Sequence, residues 1–250
     1  MKKLIALMMA LVLVLAFAGC AKTEEAPAAE EAAPVEEAPA VEEVADVKGE
    51  GVMTYAEYAA AELDAEVVIE TYVQGTQSWW DNKVTAYTQD KDGAYFLYEM
   101  ACSEEDFAKL EVGTKIKVTG YKGEWAGEVE IIDATFEILE GSYVAEPMDA
   151  TDLLGKDELI DHQNKLVSFK GMTVEAISYK NDEPGDDIYV TLSKDGASYE
   201  FCVEVYLTGP ESEVYTTVGT LAAGDVVDVE GFLYWYEGVN PHITSIAVAQ

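Results

Sequence analysis

Apolar and polar residues alternate in short segments of this chain, and the segments follow one another in the same order twice. The first set begins near Val67 and the second near Leu166. A period of two is that of a strand with one face buried, and an Asp-Gly pair in each set, at 92/93 and 195/196, suits a tight hairpin turn. The pattern therefore predicts two β-rich units. Its alternating positions are Tyr95, Leu97, Glu99, Ile116 and Val118 in the first unit, and Tyr199, Phe201, Val203, Val227 and Val229 in the second.

The two units also share short sequences. KDGA occurs at 91–94 and again at 194–197. Further along, GTKIKVTG at 113–120 corresponds to GDVVDVEG at 224–231. Each match is weak alone, but their common order indicates an internal duplication in which the loops differ in length.

Short helices are predicted between the strands. Thr54–Glu57 and Ser103–Asp106 have the capping-box pattern, in which a hydroxyl and an acid three residues later satisfy backbone N–H groups. Thr208–Glu211 is the corresponding helix start in the second unit, and Asp152–Ile160 is a further helix candidate. The apolar residues at helical spacing after the second-unit start are Val214, Val218 and Leu221.

Each unit thus reads as three strands, a helix and two strands, with a GxxxxVxG motif opening the fourth strand. This order resembles the OB-fold, a five-stranded Greek-key barrel that binds ligands on a sheet face flanked by two loops. It also resembles the OB-type domains of bacterial surface lipoproteins of unassigned role. We therefore predict a mainly β protein with two tandem OB-fold-like five-stranded barrels and short helices, at 50–146 and 147–250. A β-sandwich is the alternative.

The N-terminus has the pattern of a signal peptide. Lys2 and Lys3 precede an apolar run, Leu4–Ala18, which is shorter than the roughly 20 residues of a spanning helix. The run ends at Ala18-Gly19-Cys20, which resembles the lipobox of bacterial lipoproteins although Phe17 stands where leucine is usual. The resemblance implies removal of residues 1–19, lipidation of Cys20 by acyl chains such as palmitate, and a membrane-anchored protein on the extracytoplasmic face. Ordinary secretion and an uncleaved anchor are the alternatives.

Residues 20–49 are predicted to be a disordered tether. Glu-Glu pairs recur every six residues among Ala, Val and Pro, and the segment contains no aromatic residue. Such a composition buries too little apolar area to offset the entropy of ordering. An acidic recruitment motif is the alternative interpretation of this segment.

The charge of the chain bears on its partners. The formal net charge is −34, and all 15 basic residues are lysines. Nucleic-acid affinity comes largely from Lys and Arg on phosphates, so the total charge disfavours nucleic acid as a partner. Cys102 and Cys202 could form a bridge or remain as two apolar thiols in strands.

The sequence contains no motif that indicates catalysis. There is no GxSxG, HExxH, P-loop or GxGxxG, and neither His162 nor His242 has a Cys or His at ligand spacing. Asp90-Lys-Asp92-Gly93 has a trace of a calcium loop but is better explained as a hairpin turn. The acidic cluster 182–187 could bind a divalent cation loosely, although a solvated loop is the simpler interpretation. We expect no enzyme activity, no cofactor and no metal site.

Aromatic residues are the main candidates for a binding site. Trp79 and Trp80 fall in the predicted loop between the first and second strands, and Trp125 falls in the loop between the fourth and fifth. The 4–5 loop of the second unit carries a further aromatic triplet. Exposed apolar patches often mark binding sites, but these rings could instead cap the barrels or pack the two units together. The full candidate set is Trp79, Trp80, Trp125, Tyr234, Trp235 and Tyr236.

The sequence is therefore interpreted as a lipid-anchored, extracytoplasmic binding module without enzyme activity. Its partners would be the membrane, through the anchor, and a sugar, a peptide or a protein surface. One alternative is a structural or assembly component of a cell-envelope complex. Another is nucleic-acid binding inherited from the fold, which is weak ground for function.

Replacing Cys20→Ser should release the protein from the membrane fraction or leave it unprocessed, because two or three acyl chains anchor stably where one does not. Detergent phase separation of the mature protein measures this. Partitioning of the wild-type protein into the aqueous phase would contradict lipidation.

Overall fold

The computed structural model describes residues 48–249. The signal segment 1–19, Cys20 and the tether as far as residue 47 lie outside the described residues. No helix within 48–249 is long and apolar enough to cross a membrane.

The first half is a closed barrel of five strands in the order β1-β2-β3-β5-β4. A short helix precedes β1, and another lies between β3 and β4, as predicted. The elements are α1 (Tyr55–Ala60), β1 (Glu66–Thr76), β2 (Lys83–Gln89), β3 (Ala94–Ala101), α2 (Glu104–Phe107), β4 (Thr114–Trp125) and β5 (Glu128–Ser142).

The second half repeats this topology in a six-stranded sheet of order β10-β11-β9-β8-β7-β6. Because β10 also pairs with β7, strands β7 to β11 close on themselves as β1 to β5 do. The additional strand β6 pairs with β7 in parallel. The elements are β6 (Met148–Asp149), β7 (Leu166–Tyr179), β8 (Ile188–Lys194), β9 (Ala197–Val203), α3 (Val205–Thr208), α4 (Glu213–Val218), β10 (Val226–Phe232) and β11 (His242–Val248).

This architecture confirms the predicted fold class, because a closed barrel is not a β-sandwich. Residues 48–249 nevertheless form one compact unit. The predicted boundary at 146/147 falls between β5 and β6, and independent folding of the two halves stays a prediction.

The predicted alternation of buried residues in β3 is wrong at its last position, Glu99. Glu99 was expected on the buried face of β3 with Tyr95 and Leu97, but it is exposed and has a positive φ of 44°. The register between β2 and β3 shifts at this point, as at a β-bulge. Met100 takes the buried position instead and is fully inaccessible.

The helix caps divide into confirmed and corrected predictions. Thr54 forms a complete capping box with Glu57, and Ser103 caps α2 by accepting the N–H of Asp106. In the second half the cap of α4 is Ser212, which accepts the N–H of Tyr215. Thr208 is instead the last residue of α3, because Gly209 and Pro210 interrupt the helical backbone before α4 begins. The predicted helix Asp152–Ile160 is replaced by two 3₁₀ turns, Thr151–Leu153 and Asp157–His162.

Both cysteines within the described chain are buried free thiols, so the alternative of a Cys102–Cys202 bridge is wrong. Burial raises the pKa of the Cys102 thiol to about 11 and that of Cys202 further still. Such thiols are not nucleophilic near neutral pH.

The two halves meet on the outer face of β2 and β3. Tyr87 and Phe96 point away from the first barrel's core, and both are buried. The Tyr87 ring stacks on Phe232 of the second half with centroids 4.3 Å apart and planes 3° from parallel. Phe96 packs edge-on against Tyr234, and the Tyr87 hydroxyl hydrogen-bonds with His242 Nδ1 over 2.7 Å. The face that OB-folds use for ligands is therefore covered in the first barrel.

A buried carboxyl group also joins the halves. Glu128, at the start of β5, is fully inaccessible, and its Oε2 accepts the N–H of Trp235 over 2.9 Å. Its Oε1 and the nearby Asn164 Oδ1 are buried acceptors for which residues 48–249 offer no hydrogen-bond partner. Burial raises the pKa of Glu128 to about 8, so the group is mostly protonated at neutral pH.

Replacing Glu128→Gln should remove one component of the pH dependence of stability. Between about pH 4.5 and pH 8 the folded protein keeps a proton that the unfolded chain loses, so the free energy of unfolding falls with rising pH. One such group contributes a slope of up to about 1.4 kcal/mol per pH unit. Urea unfolding from pH 5 to pH 9 measures it. A matched control is the exposed Glu124→Gln in the same hairpin, and equal slopes for both variants would contradict this role.

Candidate functional site

Trp80 is held on a tight turn at one end of the first barrel. The turn has reciprocal backbone hydrogen bonds, Trp80 N–H to Lys83 O at 3.1 Å and Lys83 N–H to Trp80 O at 2.9 Å. Its central residues, Asp81 and Asn82, have positive φ angles of 46° and 61°. These residue types tolerate that conformation better than most. The Asn82 carbonyl also accepts the Cys102 N–H, which ties the turn to the end of β3.

The two adjacent tryptophans have different environments. Trp79 packs against the first barrel's core, and its Nε1–H donates to the Cys102 carbonyl over 2.9 Å. Trp80 is 79% exposed. Successive residues of an extended segment point to opposite sides. The Trp79 ring therefore packs at the end of the barrel, and the Trp80 ring is exposed to solvent.

A groove runs beside Trp80 where the first half meets α3 of the second. Its volume is about 380 Å³, near the lower end of small-ligand sites. Tyr206, 60% exposed, lines it together with Trp80. The Ser78 N–H and hydroxyl both donate to the Tyr206 carbonyl, at 2.8 and 3.2 Å, and fix the two walls together. We call this the Trp80 groove; its lining residues are Gln77, Ser78, Trp79, Trp80, Lys83, Val84, Thr85, Glu99 and Tyr206.

An ion pair adds polar groups to the Trp80 groove. Lys83 Nζ lies 2.6 Å from Glu99 Oε2, and both side chains are about half exposed. The hydrogen bond between them raises the pKa of Lys83 and lowers that of Glu99. Both groups are therefore charged at neutral pH, and the groove offers a cation and an anion beside exposed rings.

The structure places Trp125 elsewhere. It ends β4, is 62% exposed, and does not line the Trp80 groove. The turn that follows it contacts the 234–238 loop of the second half: the Glu237 N–H donates to the Ala126 carbonyl over 2.7 Å. The 4–5 loops of the two halves thus meet each other rather than the Trp79–Trp80 loop.

The second-half aromatic residues also separate. Tyr234 is part of the contact between the halves, stacking on His242 with centroids 4.3 Å apart. Trp235 packs against the second core and over Gly127, where a Cβ would come within 2.9 Å of the indole. Tyr236 is exposed. Of the six predicted site residues, the structure therefore brings only Trp79 and Trp80 to the same groove.

Sequence reasoning missed Tyr206. The residue lies in a four-residue helix after β9, and it reaches the Trp80 groove only because the second half packs onto β2 and β3. No spacing or motif in the sequence signals that approach.

Comparisons with known proteins bear on the fold. No protein-family profile matches the chain, and no curated protein does. A murine DNA-binding protein bound to double-stranded DNA is similar, with 12% identity over 73% of this chain and 95% of that one, and a TM-score of 0.36. The Ifi202 HINa domain in complex with 20-bp double-stranded DNA has 10% identity over 74% and 98%, and a TM-score of 0.35.

The asparaginyl-tRNA synthetase of Pyrococcus horikoshii has 20% identity over 34% of this chain and a TM-score of 0.29. The chain spans only 19% of the length of that synthetase. At such identities and TM-scores no activity is transferred to this protein.

The similar structures do correct one expectation. Two of them are complexes with double-stranded DNA, which overturns the inference that nucleic acid is disfavoured as a partner. The physical reason is that a net charge of −34 sums the whole chain, whereas phosphate binding depends on the local surface. Total charge therefore does not remove this class of partner.

Replacing Trp79→Ala should destabilise the protein by about 3 kcal/mol, because a large ring leaves the barrel end and a hydrogen bond is lost. Replacing the exposed Trp80→Ala should change the free energy of unfolding by less than about 0.5 kcal/mol. Urea unfolding measures both. A large loss for Trp80→Ala would contradict its placement outside the core.

Proposed function

We propose that this protein is a lipid-anchored, extracytoplasmic binding module that takes a sugar or a peptide in the Trp80 groove. The observation that carries the proposal is the exposed Trp80 ring, which a closed turn holds beside a second exposed ring, Tyr206. A rigid aromatic surface loses little entropy when a ligand stacks on it, so preorganisation favours binding.

The groove chemistry supports these ligand classes. Aromatic rings bury large apolar area, and Tyr also offers a polar tip. The half-exposed Lys83–Glu99 pair supplies donors and acceptors for the hydroxyl groups of a sugar or the amides of a peptide. A few polar groups around an apolar floor are typical of ligand sites.

The location of the groove supports the proposal too. The second half covers Tyr87 and Phe96 on the outer face of β2 and β3 in the first barrel, so a ligand cannot stack on that part of the face. The Trp80 groove lies at the margin of this covered part, with walls from both halves.

Binding rather than catalysis is proposed because the groove's titratable pair is mutually neutralised and solvent-exposed. Perturbed, buried groups are the usual mark of an active site. The lipid anchor at Cys20 would hold the groove outside the cytoplasm.

Replacing Trp80→Ala or Tyr206→Ala should weaken binding about five- to a hundredfold, on the scale of losing one stacking platform. Glycan and peptide arrays identify a ligand, and tryptophan fluorescence titration measures its dissociation constant. The matched control is Trp125→Ala, an exposed tryptophan outside the groove.

Three outcomes of this experiment would contradict the proposal. One is equal loss of affinity for Trp125→Ala and Trp80→Ala. The others are binding only to a purified envelope protein and binding only to nucleic acid, which would favour an assembly or a nucleic-acid role instead.

A further inference from the structure

A buried lysine and a buried aspartate meet where the described chain begins. Lys48 Nζ lies 2.6 Å from Asp90 Oδ2, in the turn between β2 and β3, and 2.9 Å from the main-chain oxygen of Glu70. The Lys48 side chain is 10% exposed and that of Asp90 is 1% exposed. A nitrogen and a carboxyl group are thus held in contact with little access to water.

The other oxygen of Asp90 is held by two backbone donors. The N–H groups of Asp92 and Gly93 each donate to Oδ1 over 2.8 Å. In acyl transfer, paired backbone N–H groups aimed at a carbonyl oxygen stabilise the negative charge that develops there. The turn therefore polarises the Asp90 carboxyl carbon toward attack by a nucleophile.

A neutral hydroxyl and a second carboxylate complete the cluster. Tyr95 Oη donates to Asp90 Oδ2 over 3.3 Å, and burial first, then Asp90, raises the pKa of Tyr95, so its proton stays on. Glu70 is 6% exposed, and its Oε1 lies against Gly49, where a Cβ would come within 2.7 Å. Its Oε2 is 2.9 Å from Lys115 Nζ.

Aromatic rings shield this cluster. Tyr55 stacks edge-on against Tyr95, with centroids 5.5 Å apart, and Tyr58 packs on Tyr95 at 4.9 Å. Exclusion of water disfavours the charges of an ion pair and keeps water from hydrolysing an amide bond formed there.

We propose that Lys48 and Asp90 join in an intramolecular amide bond, which fixes the end of the tether to the β2–β3 turn. The site assigned is a covalent cross-link between two side chains of this chain. It is independent of the Trp80 groove and of the proposed ligand.

The step balances without any other reactant. The Lys48 ammonium gives up a proton to Asp90 Oδ2, 2.6 Å away, and the free amine then attacks Cγ of the neutral Asp90 carboxyl group to form the C–N bond. The oxyanion at Oδ1 is held by the Asp92 and Gly93 N–H groups. The nitrogen passes a second proton to Oδ2, the C–Oδ2 bond breaks, and Oδ2 leaves as water with the two protons that the ammonium has lost, while Tyr95 Oη remains a hydrogen-bond donor to it.

Proximity lowers the barrier to this reaction. Well-oriented groups within one molecule react with effective concentrations of about 10⁵–10⁸ M, and the release of water from a dry site favours the amide. The second half provides an internal contrast: Ser193 stands at the position of Asp90 in front of the repeated KDGA, so the repeat does not require an acid here.

The mass of the folded full-length protein tests the proposal. The wild-type protein should be lighter than its sequence by one water molecule, and proteolytic peptides should show Lys48 joined to Asp90. Lys48→Arg keeps the charge but should have the full mass. Asp90→Ala should likewise have the full mass, because no carboxyl carbon is left for the amine to attack. The wild-type protein should also have a higher melting temperature than Lys48→Arg.

Two results would overturn the proposal, and neither depends on the folding of a variant. One is a full, unchanged mass for wild-type protein that circular dichroism shows to be folded. The other is loss of one water mapped by peptide sequencing to a different pair, such as Lys115 with Glu70.

Discussion

The contact between Tyr87 and Phe232 determines which surfaces of this protein are free. Both rings lie outside the barrel cores and are removed from water only by each other and by their neighbours. Gly75 permits the approach, since a Cβ there would come within 2.9 Å of the Phe232 ring. Because the second half packs on β2 and β3, its helix α3 lies beside the Trp80 turn. The same packing buries Glu128, whose Oε2 accepts the Trp235 N–H.

Polar groups at the contact between the halves determine the orientation of the halves more than they add to the stability of the contact. Gln77 Nε2 donates to Glu204 Oε1 over 2.7 Å, and Glu204 Oε2 lies 3.2 Å from His242 Nδ1, which in turn bonds to Tyr87. Leaving any one of these buried groups unpaired costs more than the bond itself contributes. The network therefore selects one orientation of the halves from those that would bury similar apolar area.

Local rules predicted the strands, the duplication and the Thr54 cap, because these depend on neighbours in sequence. The bulge at Glu99 was beyond those rules, since it depends on register with β2. The covered face did have a signal: five successive residues of β2, Val84–Thr88, are buried, and such a run without charge is typical of a strand covered on both faces. The partner of that face, and with it Tyr206, could not be predicted, because no sequence pattern states which end of one barrel docks on another.

The covered β2–β3 face also explains why the duplication is visible only in fragments. Gly113 and Gly224 have matching positive φ angles of 93° and 97°, so both copies keep a glycine where the fourth strand begins. The two KDGA turns differ in backbone, since φ is positive at Asp195 and Gly196 but at neither Asp92 nor Gly93. In the first half, the outer face of the second and third strands is buried against the second half. In the second half, Thr191 and Glu200 face outward on the corresponding strands, β8 and β9. The two halves therefore share a topology but differ in which strand faces are buried. Substitutions at Tyr87 or Phe96 are constrained by Phe232 and Tyr234, more than a hundred positions away.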